Sequence, residues 1–172
     1  MRKIILLGYM GSGKSTISKR ISNSTGIHLV DLDECIEKRM KLTVNKIFEQ
    51  KGEIFFRKLE REIFIELLNS PENLIIALGG GTPCYGNNHE LLIGENRVSI
   101  YLKASVDTLV NRLFSNRSKR PILAHKTEEE LREFIAKHLF ERSFFYNHAQ
   151  YKLSIDGKTK EETAEDILKI LA

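Results

Sequence analysis

The stretch Gly8-Tyr9-Met10-Gly11-Ser12-Gly13-Lys14-Ser15-Thr16, GYMGSGKST, directly follows the apolar run Lys3–Leu7 and opens a helical pattern that ends near Gly26. It matches GxxxxGK[ST], the loop in which a strand hands the chain to a helix around a phosphate. Glycines let such a backbone curl until several N–H groups face one anion at the positive end of the helix. Gly11, Ser12, Gly13 and Thr16 are therefore candidate phosphate contacts. Lys14 is placed to bridge the β- and γ-phosphates, and the Ser15 hydroxyl to ligate Mg²⁺. A dinucleotide fold is disfavoured, because Thr16 stands where GxGxxG wants its last glycine. The expected ligand is a nucleoside triphosphate with Mg²⁺.

Outward from this loop, apolar runs alternate with helical patterns along all 172 residues. That alternation argues a parallel α/β sheet. His28–Asp31 reads as a second strand, followed by a helical stretch from about Leu32 to Met40. Thr43 reads as an N-cap, and Gly52 as a helix end before the long amphipathic pattern Glu53–Leu68. Asn73–Leu78, Arg97–Leu102 and Tyr151–Ile155 supply three further strands, and Ser105 caps a helix to about Phe114. Thr127 with Glu130, and Thr159 with Glu162, form capping boxes that open the last two helices, the first running to about Asn147. The expected fold is α/β: a three-layer α/β/α sandwich on five strands.

The length suits one domain, residues 1–172. No repeat or linker interrupts it, and the apolar stretches are strand-sized, too short to span a membrane. MRKIILL has basic residues before an apolar run, as a secretion signal does, yet it is short and leads straight into the phosphate loop. Cys35 and Cys84 share no CxxC or zinc-like spacing, so reduced thiols in a cytoplasmic protein are expected. The net charge of +4 comes from scattered Lys and Arg, which small anionic ligands explain as well as nucleic acid. With no basic run or aromatic platform, no nucleic-acid partner is expected.

Two further features sit at predicted strand ends. VDLD places Asp31 and Asp33 after the second strand, where an open α/β sheet binds ligands. Two residues apart on extended chain, they point the same way. One could hold the water shell of a magnesium ion while the other takes a proton from an attacking hydroxyl; alternatively both are helix-start residues. LGGGTPC, residues 78–84, adds three consecutive glycines after the third strand. A tight turn explains one or two of them; a bare backbone wall for a small polar ligand explains Gly79, Gly80 and Gly81 together. Arg57, Arg120 and Arg142 are singly compatible with solvated helix faces, but their planar forks also suit carboxylates and phosphates. No NKxD or DxxG tetrapeptide marks a regulatory GTPase, and no second glycine-rich loop with a lysine strand marks a protein kinase.

GYMGSGKST, DLD, FFR, GGG, RPIL and ERSFFY, in this order and spacing, resemble the shikimate kinase family along essentially the whole chain. The resemblance implies the nucleoside monophosphate kinase fold, strand order 2-3-1-4-5, an acceptor-binding helical region at about 32–60 and a lid at about 115–126. It implies transfer of the γ-phosphate of ATP to the 3-hydroxyl of shikimate, on the way to aromatic amino acids; a monomer is the expected state. Position by position, Asp33 would contact shikimate and act as the base, and Asp31 would lie near Mg²⁺. Arg57 and Arg142 would hold the shikimate carboxylate, with Gly79 to Gly81 beside them. Arg120 would close over the transferring phosphate, Arg112 would meet adenine, and Phe48 and Phe56 would line the acceptor pocket. The chain departs from the family at Thr82-Pro83, where a small aliphatic pair is expected. It also has Lys158 and Lys160 in the stretch after the fifth strand where an arginine is usual, and Arg117 and Lys119 compete with Arg120 in the lid. The alternatives are a P-loop kinase for another acceptor, such as gluconate or a nucleoside monophosphate, and a non-catalytic nucleotide-binding module.

Overall fold

The computed structural model describes residues 1–172. Five strands, β1 (Lys3–Leu7), β2 (His28–Asp31), β3 (Leu74–Ala77), β4 (Arg97–Lys103) and β5 (Tyr151–Ser154), form one parallel sheet in the order β2-β3-β1-β4-β5. Every residue of β1 and β3 is buried, which is why both, Lys3 apart, read as continuous apolar runs rather than alternating ones. β1 is central: Lys3 lies opposite Leu74 on one side and Arg97 on the other. Lys3 itself is buried, with its ammonium donating to the Ser70 carbonyl at 2.9 Å and to that of Glu72.

Six helices lie between the strands and a seventh follows β5: α1 (Lys14–Thr25), α2 (Leu32–Met40), α3 (Val44–Lys51), α4 (Glu53–Asn69), α5 (Val106–Phe114), α6 (Glu128–Tyr146) and, last, α7 (Lys160–Leu171). Local chemistry sets most of their ends. Both expected capping boxes form, Thr127 with Glu130 and Thr159 with Glu162. Thr43 and Ser105 cap α3 and α5 through their hydroxyls. Between β3 and β4 the chain makes two 3₁₀ turns, Thr82–Cys84 and Asn88–Leu92, that no sequence periodicity announces. No helix is long and apolar enough to cross a membrane.

The carboxyl ends of β1, β2 and β3 lie side by side, because Asp31 pairs with Ala77 and Ala77 with Leu6. The residues that leave those ends, Gly8–Gly13, Leu32–Glu34 and Leu78–Thr82, therefore converge on one edge of the sheet.

Candidate active site

A cleft of about 960 Å³ opens at that edge. Gly11, Gly13, Lys14, Ser15, Thr16, Asp31, Asp33, Gly79, Gly80, Arg112 and Arg120 all line it, so most of the sequence-predicted site meets in one place. Gly13 takes φ 90°, a left-handed conformation, and its amide end of α1 faces the opening. Lys14 lies back across the loop, donating to the carbonyls of Gly8 and Tyr9, the latter at 3.2 Å. Burial brings its pKa down to about 8, opposed by Asp33 and helped by Arg120. Ser12 is the exception among the loop residues. Its N–H donates to the Tyr9 carbonyl at 3.1 Å and its side chain is fully buried, so it shapes the loop from inside.

The two aspartates reach the cleft as helix-start residues, the alternative to their pointing the same way on extended chain. β2 ends at Asp31 and α2 begins at Leu32, so Asp33 stands on the first helical turn rather than on extended chain. Asp31 is the N-cap, accepting the Glu34 N–H at 3.1 Å. The helix-start reading and the ligand-facing reading hold together. Asp33 has its pKa raised to about 6, first by burial and then by Asp31, Glu60 and Glu37, with Lys14 opposing.

The three glycines answer a steric demand. None of Gly79, Gly80 and Gly81 has a positive φ, so a left-handed turn is not the reason for them. A Cβ on Gly79 would lie 3.2 Å from an Asp33 carboxylate oxygen. On Gly80 it would lie 3.2 Å from Arg142 Nη1, and on Gly81 2.9 Å from Arg57 Nη2. Each bare residue thus faces one of the three polar side chains that the sequence grouped as acceptor contacts. Arg57 and Arg142 do not line the nucleotide end of the cleft; they stand behind its glycine edge.

Phe48 and Phe56 stand where the resemblance put them, beside Arg57, whereas Glu60, Tyr85, Tyr146 and His138 escaped sequence reading. Arg57 donates from Nη1 to Glu60 at 2.9 Å, and its guanidinium carbon lies 3.9 Å from the Tyr85 ring centre. Phe56 and Phe48, whose rings are 4.5 Å apart, flank it at 5.2 and 5.9 Å. The Tyr146 hydroxyl donates to the Gly80 carbonyl and anchors the strap. Arg142 lies 5.6 Å from the ring of Tyr9, whose hydroxyl meets His138 Nδ1 at 2.9 Å. Burial pushes the Cys84 thiol up to about 11 against Arg142 and Arg57, which disfavours its thiolate.

Over the nucleotide end, Arg112 reaches from α5 to the carbonyls of Gly11 and Ser12, each at 3.3 Å. Among the lid cations, Arg117 is turned away: it donates to the Phe114 carbonyl at 2.8 Å and stacks on the Phe114 ring. Lys119 and Arg120 face the cleft. Lys158 is held by Asp166 at 2.7 Å, while the Lys160 stem lies 3.7 Å from the position of a Gly13 Cβ.

The oxygens here suit magnesium arriving with a triphosphate. The Ser15 side chain is exposed at the cleft and forms no protein hydrogen bond, and Asp31 uses one oxygen for its cap, leaving the other free. Mg²⁺ takes one or two such protein oxygens and fills its octahedron with phosphate and water. No group of three or more His, Cys, Asp or Glu side chains is arranged to hold a metal alone.

A phosphate loop at the switch point of a 2-3-1-4-5 sheet, opening on a polar cleft, defines a phosphotransferase of the P-loop class. A sequence model described as shikimate kinase matches residues 10–172, and the chain belongs to the shikimate kinase family. It is 64% identical to a shikimate kinase of Flavobacterium johnsoniae over the full length of both chains. With that of Flavobacterium psychrophilum it shares 50% over 99% of each. The crystal structure of shikimate kinase from Bacteroides thetaiotaomicron superposes with TM-score 0.89 at 35% identity, covering 99% of this chain and 98% of that one. Shikimate kinase from Acinetobacter baumannii in complex with shikimate gives 0.85 at 28%, covering 99% and 93%.

Proposed function

We propose that this chain moves the γ-phosphoryl group of ATP onto the 3-hydroxyl of shikimate, in the cytoplasm and as a monomer. The observation that carries the reading is the glycine strap, which fits bare backbone against Asp33, Arg142 and Arg57 beside the phosphate loop. An anionic polyol needs that combination: two guanidinium groups for a carboxylate, a carboxylate for a hydroxyl, and no side chain between them.

In this reading Arg57 and Arg142 hold the acceptor's carboxylate, and Phe48, Phe56 and Tyr85 keep Arg57 in place. Asp33 accepts the proton of the acceptor hydroxyl as its oxygen attacks the γ-phosphorus and the bond to the β-phosphate oxygen breaks. A carboxylate ionising at about 6 is charged at neutral pH yet more basic than ordinary aspartate, which suits that task. Lys14 leaves its loop carbonyls for the phosphates, and Arg120 approaches them from the lid. Arg112 faces the adenine end. Ser15, and Asp31 through the water shell, would hold magnesium, which would supply neutralising charge to the transferred group. Positioning and electrostatics supply most of the catalysis in such transfers.

A coupled ADP-release assay with purified protein and Mg-ATP tests the reading. Turnover should require shikimate, with gluconate and nucleoside monophosphates giving at most a few per cent of its kcat/KM. Absence of shikimate-dependent turnover would sink it. Tight ATP binding without turnover on any acceptor would instead favour a non-catalytic nucleotide-binding module.

A further inference from the structure

The departure at Thr82-Pro83 sits against the most deeply buried acid in the molecule. Glu60, on α4, is 1% exposed. One of its oxygens accepts from Arg57 Nη1 at 2.9 Å, and the other accepts from the Thr82 hydroxyl at 2.9 Å. Thr82 is itself fully buried. It opens the 3₁₀ turn that follows the glycines, with Pro83 as the next residue of that turn. Its carbonyl accepts from Asn88 Nδ2 at 2.9 Å, and Asn88 Oδ1 in turn accepts from Arg61 at 2.9 Å. The hydroxyl is thereby held in direction from behind.

We propose that Thr82 is a positioning residue for Arg57: its hydroxyl fixes the buried Glu60 carboxylate, which in turn fixes the plane in which the guanidinium meets the acceptor's carboxylate. The proposal rests on Arg57 as a carboxylate contact, the role given to it above. The physical reason is the asymmetry of buried hydrogen bonding. A buried carboxylate with one oxygen left without a donor is far costlier than a satisfied one, so it rotates, takes up a proton or drags its partner with it. Tyr85, Phe48 and Phe56 pack on the guanidinium, but Glu60 is the one partner that holds it by a hydrogen bond. The Arg57 Nε is buried without a hydrogen bond, and Glu53 stands 3.7 Å away and half in solvent. The charged and titratable groups around Glu60 are Arg57 on its own helix, Asp33 on α2 and Cys84 on the turn. Burial pushes the Glu60 carboxyl up, with Arg57 and Thr82 pulling it back.

Thr82→Val keeps the shape of the side chain and removes the hydroxyl; Thr82→Ser keeps the hydroxyl. The valine variant should raise the shikimate KM by about five- to tenfold, less than the full worth of a hydrogen bond to a charged group because the loss reaches the acceptor only through Glu60 and Arg57, with kcat and the ATP KM within twofold. The serine variant should return to near wild type. A carbon-13 NMR titration of the Glu60 side-chain carboxyl gives a readout independent of turnover. Its midpoint should rise in Thr82→Val and fall back in Thr82→Ser. If both variants fold, and the shikimate KM and the Glu60 titration stay at wild-type values in Thr82→Val, the positioning role is wrong. Arg57→Ala separates that outcome from failure of the wider reading: an unchanged shikimate KM there removes Arg57 from the carboxylate site altogether.

Discussion

Asp33 ionises at about pH 6 because burial, then Asp31, Glu60 and Glu37, disfavour its charge, while Lys14 works the other way. Two consequences follow from one raised pKa. As a base it must be ionised, so kcat/KM for shikimate should climb with pH through about 6 and level off above 7. Below the midpoint the fall should approach tenfold per pH unit. Asp33→Asn should lower kcat by ~10²–10⁴-fold while ATP binding survives; a variant that keeps a tenth of its rate would remove Asp33 from the proton transfer. For folding the sign is opposite. A carboxyl whose pKa is raised on folding penalises the folded state as pH rises from about 4, its unfolded value, to about 6, and the full penalty stays above that. Thermal melts of ligand-free Asp33→Asn should therefore show a higher Tm than wild type at pH 8, with the gain shrinking toward pH 4. An equal Tm shift at both pH values would contradict the raised pKa.

At the scale of the element, Gly79–Gly81 is a strap whose outer carbonyls accept from the N–H groups of Thr82 and Cys84 and whose middle carbonyl, that of Gly80, accepts from the Tyr146 hydroxyl. The sequence made the need for bare backbone legible, since three consecutive glycines cost chain entropy that a turn alone does not require. It did not reveal which side chains impose the need, because Asp33, Arg57 and Arg142 come from α2, α4 and α6. Gly80→Ala tests the steric account. Its Cβ would stand 3.2 Å from Arg142 Nη1, the far end of a flexible side chain, so the fold can absorb it by displacing the guanidinium. The expected result is a Tm within a few degrees of wild type, an unchanged ATP KM, and a shikimate KM raised about tenfold, equivalent to ~1.4 kcal/mol of binding. A shikimate KM equal to wild type would show that the strap is bare for some other reason. Tyr146→Phe, which frees the strap without crowding it, should raise the same KM by a smaller factor.

Across the whole molecule, what was legible in the sequence was local. The phosphate loop, the capping boxes at Thr127 and Thr159 and the continuous apolar strands each specify themselves within a few residues. Glu60, Thr82, Tyr85, Tyr146 and His138 carry no such signature: an acid or a hydroxyl on an amphipathic stretch reads as surface until the fold delivers its partner. The lid shows both cases. Residues 115–126 read as a polar basic loop, yet Leu123 is fully buried and Arg117 is tied to Phe114, so the segment is fixed at two points. Between them Lys119 and Arg120 face the cleft, and neither forms an ion pair. A triphosphate in the cleft would draw both inward and close the free span over the reaction, excluding water. Limited trypsin digestion reads this directly, because the Lys119–Arg120 bond is cleavable whereas Arg120 precedes Pro121 and resists. A non-hydrolysable ATP analogue with shikimate should slow nicking after Lys119 by about tenfold if closure is worth ~1.4 kcal/mol. Leu123→Ala, a core truncation costing ~2–5 kcal/mol where the cavity persists, should release the anchor and speed nicking with or without ligands. Nicking at the same rate in all four conditions would mean that the basic span does not close on the nucleotide.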